Sequence, residues 1–324
     1  MLFDLVAPHT TVCLAGMCKN AGKTTALNAL IRGARARGVV LALTSIGRDG
    51  EREDLVTGTC KPPIYVTGGT LFATARGLLP KCDVTGEMLD MTGIHTPLGE
   101  VAILRALSDG FVELAGPSMT DQIVALTERL KRFGAQKVLI DGALFRRSLC
   151  APEAAEGVIL STGASYGPDM GKTVADTAFV AELLSLPVSG PWPEMAGRRV
   201  ARRAGKIAAL FDELPAALEG QGEALFVTGA FTDAMAASLL RRKSIPQEIA
   251  VEDGTRLLLS RENYEKLRAR GVAFRVRRQN TLVAVTVNPF SAYGAPYDPA
   301  AFQQLVAEKV DVPVVNVREE TQWN

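Results

Sequence analysis

The distribution of apolar and polar residues near the amino terminus predicts a strand, a loop and a helix in succession. Residues 12–16 form a short apolar run, residues 17–22 form a polar loop, and residues 24–37 repeat apolar side chains at helical spacing. Gly38 ends the helical pattern, and the apolar run 39–43 predicts a second buried strand. The pattern therefore predicts a β-α-β unit with the loop at its first turn.

Further strands and helices are predicted along the rest of the first half. Residues 64–66 predict a short strand, and residues 68–75 predict a turn followed by the start of a helix. The apolar runs 101–107 and 111–114 are separated by Ser-Asp-Gly and predict a hairpin. A helix is expected to follow, ending at about residue 133.

The loop after the first strand has the composition of a phosphate-binding loop. Gly22 lets the backbone approach phosphate oxygens, Lys23 can reach the terminal phosphates, and the Thr24 hydroxyl can ligate Mg²⁺. The helix that follows would offer its free N–H groups and the positive end of its dipole to an anion. The residues predicted to bind the nucleotide are Gly16, Asn20, Ala21, Gly22, Lys23, Thr24 and Thr25.

Acidic residues follow two of the neighbouring predicted strands. The strand 137–143 contains Asp141, which would hold Mg²⁺ together with Thr24, as a Walker B acid does. The exit of the second strand carries Asp49, which together with Lys23 is predicted to act in catalysis. Other candidates in that segment are Arg48 for a phosphate and Glu51 and Asp54 for the metal or a water, although a solvated turn explains any of them equally well.

A second Gly-Lys-Thr run resembles the first one but lacks its spacing. In the segment 167–173, the first glycine is too close to Lys172, and Pro168 has no N–H group to offer a phosphate. We interpret this segment as the N-terminus of a helix over residues 174–184. A contribution of Lys172 to the first site has no support from the spacing.

The predicted fold class is α/β, with the three-layer, mostly parallel sheet of a P-loop NTPase and a second α/β domain. Prolines within residues 187–193 predict the boundary, giving a nucleotide-binding domain at 1–190 and a second domain at 191–324. The basic run 198–206 is interpreted as a solvated helix face, with docking of an acidic partner as the alternative. The polar strand exit 288–294 is either a plain turn or a ligand contact.

Composition excludes several classes of protein. The chain has 324 residues, 47% of them hydrophobic and 22% charged, which is ordinary for a globular enzyme. A net charge of +1 gives no reason to expect nucleic acid or a membrane surface as a partner. Five scattered cysteines predict reduced thiols and a cytoplasmic location, and two histidines exclude a histidine-rich metal site. We expect no export signal and no membrane span.

The spacing of the loop and several short motifs resemble known families. Five residues separate Gly16 from Gly22, as in the variant loop of dethiobiotin synthetase. Residues 16–24, 43–51, 113–118 and 140–144 together resemble the smaller subunit of the reactivase for adenosylcobalamin-dependent lysine 5,6-aminomutase. The resemblance covers about the first half of the chain. It implies an ATP-using partner of a larger MutS-like subunit that helps damaged cobalamin leave the inactivated aminomutase.

These observations lead to three hypotheses. The first is a Mg·ATP-binding protein, an ATPase that rearranges another protein, as in the reactivase. The second is a ligase or kinase of the dethiobiotin-synthetase type acting on a small molecule, and the third is a nucleotide sensor that does not hydrolyse. No Asn-Lys-x-Asp run, which reads guanine in many GTPases, occurs in the sequence, and this favours ATP over GTP.

Overall fold

The computed structural model describes residues 2–47, 64–144, 151–190, 192, 199–203, 206–211 and 224–319. The chain divides into two compact units. The first unit consists of Met1–Ala178 and Leu282–Asn324, and the second unit consists of Phe179–Thr281.

The described chain contains 18 strands and seven α-helices, with two long runs of strands, β2 to β7 and β10 to β13, that no described α-helix interrupts. The strands are β1 (Thr11–Gly16), β2 (Leu41–Ser45), β3 (Ile64–Val66), β4 (Leu71–Ala75), β5 (Gly86–Thr96), β6 (Gly99–Ala106), β7 (Gly110–Val112), β8 (Lys137–Leu144), β9 (Gly157–Gly163), β10 (Arg199–Arg203), β11 (Lys206–Phe211), β12 (Ala224–Val227), β13 (Phe231–Thr232), β14 (Glu248–Val251), β15 (Leu257–Leu258), β16 (Ala273–Val276), β17 (Leu282–Asn288) and β18 (Val314–Asn316). The helices are α1 (Leu2–Val6), α2 (Lys23–Ala36), α3 (Thr120–Arg132), α4 (Met170–Leu184), α5 (Asp233–Leu240), α6 (Arg261–Ala269) and α7 (Pro299–Ala307).

A nine-stranded sheet forms the centre of the first unit. Its strand order is β18-β17-β9-β1-β8-β2-β4-β6-β5. All neighbours from β18 to β4 are parallel, whereas β6 pairs antiparallel with both β4 and β5. The predicted α/β class with a mostly parallel sheet is therefore confirmed. Because β1 lies between β9 and β8, the loop that follows β1 opens at the middle of the edge where the parallel strands end.

Helices cover both faces of this sheet. On one face, Leu14 of β1 packs in the same core as Leu27 and Leu30 of α2. On the other face, the hydroxyl group of Thr162 in β9 is 2.8 Å from that of Thr177 in α4. The apolar stripe of α2 thus fixes the direction of that helix across the sheet, and with it the place where its first turn begins.

The second unit has its own sheet and core. Its five strands lie in the order β11-β10-β12-β14-β16, with β12, β14 and β16 parallel. Phe179 and Leu183 of α4 belong to its core, together with Tyr264 and Phe274, whose rings stack 4.6 Å apart. This part of the chain is a small α/β unit in its own right.

The division of the chain differs from the boundary predicted at residue 190. The predicted boundary places the residues of β17 and β18 in the second domain, but β17 pairs with β9 and β18 with β17 in the sheet of the first unit. The second unit is therefore an insertion at 179–281 between two parts of the first. Long-range strand pairing of this kind leaves no local signal, because the residues that meet are far apart in the sequence.

Three local predictions were also wrong. Residues 71–75 form the buried strand β4 rather than the start of a helix, because they pair on both sides, with β2 and β6. The runs 101–107 and 111–114 do not pair as a hairpin, since β6 joins the large sheet whereas β7 pairs with β3. The basic run contains the strand Arg199–Arg203 instead of a helix.

None of the described helices is long and apolar enough to cross a membrane.

Gly116 is expected to be essential for the packing of the sheet edge. A methyl group at this position would lie 2.0 Å from the backbone oxygen of Ser45, which cannot move without disturbing β2. Gly116→Ala should therefore lower the free energy of unfolding by about 1–3 kcal/mol or more, measured by denaturant titration. Gly167→Ala is the matched control, since no atom lies within 4 Å of a methyl group there. Equal stability of the two variants would contradict the prediction.

Candidate functional site

The loop between β1 and α2 has a backbone that only a few residue types adopt. Gly22 immediately precedes α2 with a φ of 94°, a left-handed conformation that strains any residue with a side chain. Asn20 also has a positive φ, 60°, which asparagine tolerates better than most residues. At its start the loop is fixed by a hydrogen bond of 2.8 Å from the Met17 N–H to the Ser161 oxygen.

The first turn of α2 begins without a side-chain cap, because Gly22 has no side chain to accept its N–H groups. The helix N-terminus therefore keeps its donors and the positive end of its dipole at the loop. Thr24 and Thr25, both half-buried, lie in this first turn. An anion at this position would meet backbone donors and two hydroxyl groups.

The Lys23 side chain folds back along the loop towards Gly16. A methyl group at Gly16 would lie 2.8 Å from Cδ and 3.4 Å from Nζ of Lys23. Glycine at position 16 thus makes room for the lysine stem, and the ammonium group is held over the loop instead of extending into solvent. This arrangement places a positive charge beside the helix N-terminus.

A row of polar residues lies below the loop on the sheet face that α2 covers. Asp141 pairs in register with Leu14 on one side and Ser45 on the other, so these side chains share that face. Ser161 is level with Gly16 in the neighbouring strand, and the Thr286 hydroxyl donates to it at 2.8 Å. We call Ser45, Asp141, Ser161 and Thr286 the polar row. It marks the change from the apolar core to the edge of the sheet.

The C-terminal part of the first unit holds the loop from the side. The Asn288 side chain donates from Nδ2 to the Asn20 oxygen at 3.2 Å. In turn, Asn20 donates from its side-chain amide to the Tyr293 hydroxyl at 3.0 Å. A methyl group at Gly22 would lie 2.9 Å from Cβ of Asn288 and 3.3 Å from Val317. These contacts fix the backbone of the loop at both of its positive-φ residues.

The pKa of the Cys18 thiol reflects the electrostatic environment of the loop. Burial raises the pKa of the Cys18 thiol from 9.0 to about 11, while the nearby charge of Lys23 opposes the shift. The thiol is therefore neutral at physiological pH and is not an activated nucleophile.

Most of the predicted site residues meet in one place. Gly16, Asn20, Ala21 and Gly22 form the loop, and Lys23, Thr24 and Thr25 form the first turn of α2. Asp141 lies in β8, directly beside β1, at the level of Leu14. Asp49 lies outside the described residues, as do Arg48, Glu51 and Asp54.

The oxygen donors near the loop suit a metal ion that is bound partly by the protein and partly by the phosphates of a bound molecule. Within the described parts of the chain, no group of three or more His, Cys, Asp or Glu residues could hold a metal ion alone. Mg²⁺ usually keeps several waters and binds through one or two protein oxygens plus phosphate oxygens. The Thr24 hydroxyl and the Asp141 carboxylate are oxygen donors of that type.

The second Gly-Lys-Thr run is the N-terminus of a helix, as its spacing predicts. The Asp169 carboxylate accepts a hydrogen bond of 3.0 Å from the Lys172 N–H and so occupies a donor at the start of α4. The Thr173 hydroxyl donates to the Asp169 backbone oxygen, also at 3.0 Å. Whereas the N-terminus of α2 lacks a side-chain cap, that of α4 is already bound by a carboxylate of its own chain.

Sequence reasoning missed the contacts of Asn288 and Tyr293 with the loop and the three hydroxyl residues of the polar row. The polar strand exit 288–294 was a weak signal, because a turn explains the same composition. No local pattern links it to the loop, since Asn288 and Asn20 are 268 positions apart.

Comparison of the chain with protein-family models, curated proteins and solved structures found no significant match.

The thiol of Cys18 should react slowly below pH 9. The pKa of the thiol is about 11 in the folded chain and 9.0 in the unfolded chain, so the unfolded chain loses this proton first as the pH rises. The contribution of the buried, neutral thiol to the free energy of unfolding is therefore complete below pH 9.0 and is lost as the pH rises towards about 11. The rate of alkylation by iodoacetamide, measured by mass spectrometry of the Cys18 peptide at a series of pH values, should rise with a midpoint at about pH 11. Lys23→Ala should move the midpoint higher. A midpoint near that of free cysteine would contradict the assignment.

Asn288→Ala should loosen the loop. It removes the donor to the Asn20 oxygen and the acceptor of the Phe290 N–H, and we expect a loss of about 1–3 kcal/mol in the free energy of unfolding. Hydrogen–deuterium exchange should accelerate in residues 17–22. Gln303→Ala is the control, because it removes a comparable bond to the Val314 oxygen away from the loop. Unchanged exchange in the Asn288 variant would show that the loop does not need this contact.

Proposed function

We propose that this protein binds Mg·ATP at the loop between β1 and α2 and hydrolyses it to rearrange another protein. The observation that carries the proposal is the helix start itself. Gly22 turns the chain at positive φ without capping α2, and Lys23 folds back over Gly16. Together they present backbone donors and a positive charge at one point, which is what a polyphosphate requires.

Each residue of the loop has a definite role in this proposal. The N–H groups of Gly22 to Thr25 cradle the phosphates, with Gly16, Asn20 and Ala21 shaping the loop, and Lys23 neutralises charge on the terminal phosphates. Thr24 and Asp141 hold Mg²⁺, which when bound supplies further neutralisation of phosphate charge.

Hydrolysis of the terminal phosphate needs positioning and charge neutralisation more than covalent chemistry by the protein. Lys23 supplies charge, and the rigid loop supplies position, because Asn288 and the Met17–Ser161 bond fix its backbone. Asp49 remains our candidate for orienting the attacking water, because in the sequence it follows the end of β2, which lies at this edge of the sheet.

The partner proposed for this ATPase comes from the sequence resemblance alone. We propose a larger MutS-like subunit and an adenosylcobalamin-dependent lysine 5,6-aminomutase, from which the complex releases damaged cobalamin. Neither nucleic acid nor a membrane belongs to this proposal. Phosphate release that increases when both partners are added is the outcome expected of a reactivase.

One observation favours a second function. The five-residue spacing between Gly16 and Gly22 is that of dethiobiotin synthetase, so a ligase or kinase acting on a small molecule is the alternative. It predicts ATP turnover that depends on a metabolite and needs no protein partner. A nucleotide sensor would bind ATP and release no phosphate under either condition.

The decisive test is Lys23→Ala. Removing the ammonium group should weaken Mg·ATP binding about 100-fold or more in calorimetry, because loss of one partner of a close charge pair costs about 2–5 kcal/mol. Lys172→Ala is the matched control: it changes the lysine of the other Gly-Lys-Thr run, whose helix start is occupied by Asp169. Thermal denaturation should show that both variants fold. Equal ATP affinity of the Lys23 variant and the wild type would refute the proposed site.

A further inference from the structure

Two half-exposed aromatic rings lie beside the loop. The hydroxyl of Tyr293 is bonded to the Asn20 side chain at 3.0 Å, and 49% of Tyr293 and 51% of Phe290 are exposed. The guanidinium of Arg318 lies 4.6 Å from the centroid of the Phe290 ring. We call Phe290, Tyr293 and Arg318 the aromatic surface.

This aromatic surface adjoins the loop at both of its left-handed residues. Tyr293 is within one hydrogen bond of Asn20, and Val317, which precedes Arg318, packs against the position of Gly22. If the phosphates of a ligand lie at the start of α2, the rest of the ligand is therefore long enough to reach the two rings. Phe290 and Tyr293 are exposed apolar side chains only three positions apart, and exposed apolar side chains that are grouped, unlike isolated ones, often mark a binding site.

The polar side chain closest to the loop in this segment is directed inward. Asn288 is only 7% exposed, and its amide is used by the Asn20 oxygen and the Phe290 N–H. The segment 288–297 contains no Asp or Glu. Just beyond the aromatic surface, the Glu319 carboxylate accepts a hydrogen bond from Asn316 at 3.1 Å. In the segment 288–297, which has no carboxylate and one amide, the side chains beside the loop offer mainly ring faces and few groups that read the edge of a base.

We propose that the aromatic surface binds the nucleobase by stacking, so that the site takes ATP and GTP with similar affinity. The proposal rests on the proposed function, since the base reaches these rings only when its phosphates occupy the loop. Stacking tolerates any base because every base has a π-face, and the arginine over Phe290 adds a cation to the same surface.

Calorimetry with three probes tests the proposal: Mg·ATP, Mg·GTP and magnesium tripolyphosphate, which has no base. In the wild type, the two nucleotides should bind within about threefold of each other and more tightly than tripolyphosphate. Phe290→Ala should weaken both nucleotides about tenfold and leave tripolyphosphate unchanged. Tyr293→Ala also removes the hydrogen bond to Asn20, so it should weaken both nucleotides about tenfold more than it weakens tripolyphosphate. Tyr293→Phe, which keeps the ring, should stay within about threefold of the wild type for both nucleotides.

Tyr65→Ala is the matched control, because Tyr65 is 41% exposed but packs against Phe111, 5.2 Å away in the β3–β7 pair. It should change none of the three affinities. A preference above tenfold for either nucleotide, or unchanged nucleotide binding in both alanine variants, would overturn the proposal. If the alanine variants lost as much affinity for tripolyphosphate as for the nucleotides, the proposal would also be overturned, because the rings would then only support the loop. Wild-type protein that binds none of the probes would refute the phosphate site as well, and this pattern separates the two failures.

Discussion

The absence of side chains at two glycines is the constraint on which the candidate site depends. At Gly16 the missing methyl group leaves room for the Lys23 stem, and at Gly22 it permits the left-handed turn and the close approach of Asn288. The helix direction is set separately, by Leu27 and Leu30 packing on the sheet. Core packing therefore sets the direction of α2, and the two glycines leave the space around its first turn in which other groups can bind.

The sheet adds chemistry at the same edge through its register. Apolar residues such as Leu43 and Leu139 fill the face under α2, and one level further along the same two strands that face carries Ser45 and Asp141. Because parallel strands end together, a change of residue type at one level of the register produces a polar surface across several strands. The site is thus the rim of the hydrophobic core, with the loop closing over it.

The fold and the candidate site could be predicted from the sequence where the residues that meet in the structure are also neighbours in the chain. The strand, loop and helix at 11–36 are consecutive, so their apolar spacing and glycines were sufficient. The sequence of Leu71–Ala75 does not indicate a strand, because a fully buried strand lacks the alternation of apolar and polar residues that marks a half-buried one. The place of β17 and the role of Asn288 could not be predicted, because they arise from pairing with β9 across the inserted second unit.

The same insertion has a consequence for the order in which the molecule becomes competent. A ribosome makes Asn20 early and Asn288 only 268 positions later, after all of the second unit. A nascent chain that carries the loop and β9 still lacks the strand that buttresses them. During synthesis, the loop therefore lacks its hydrogen bond to Asn288 until the ribosome has passed the whole of the inserted unit.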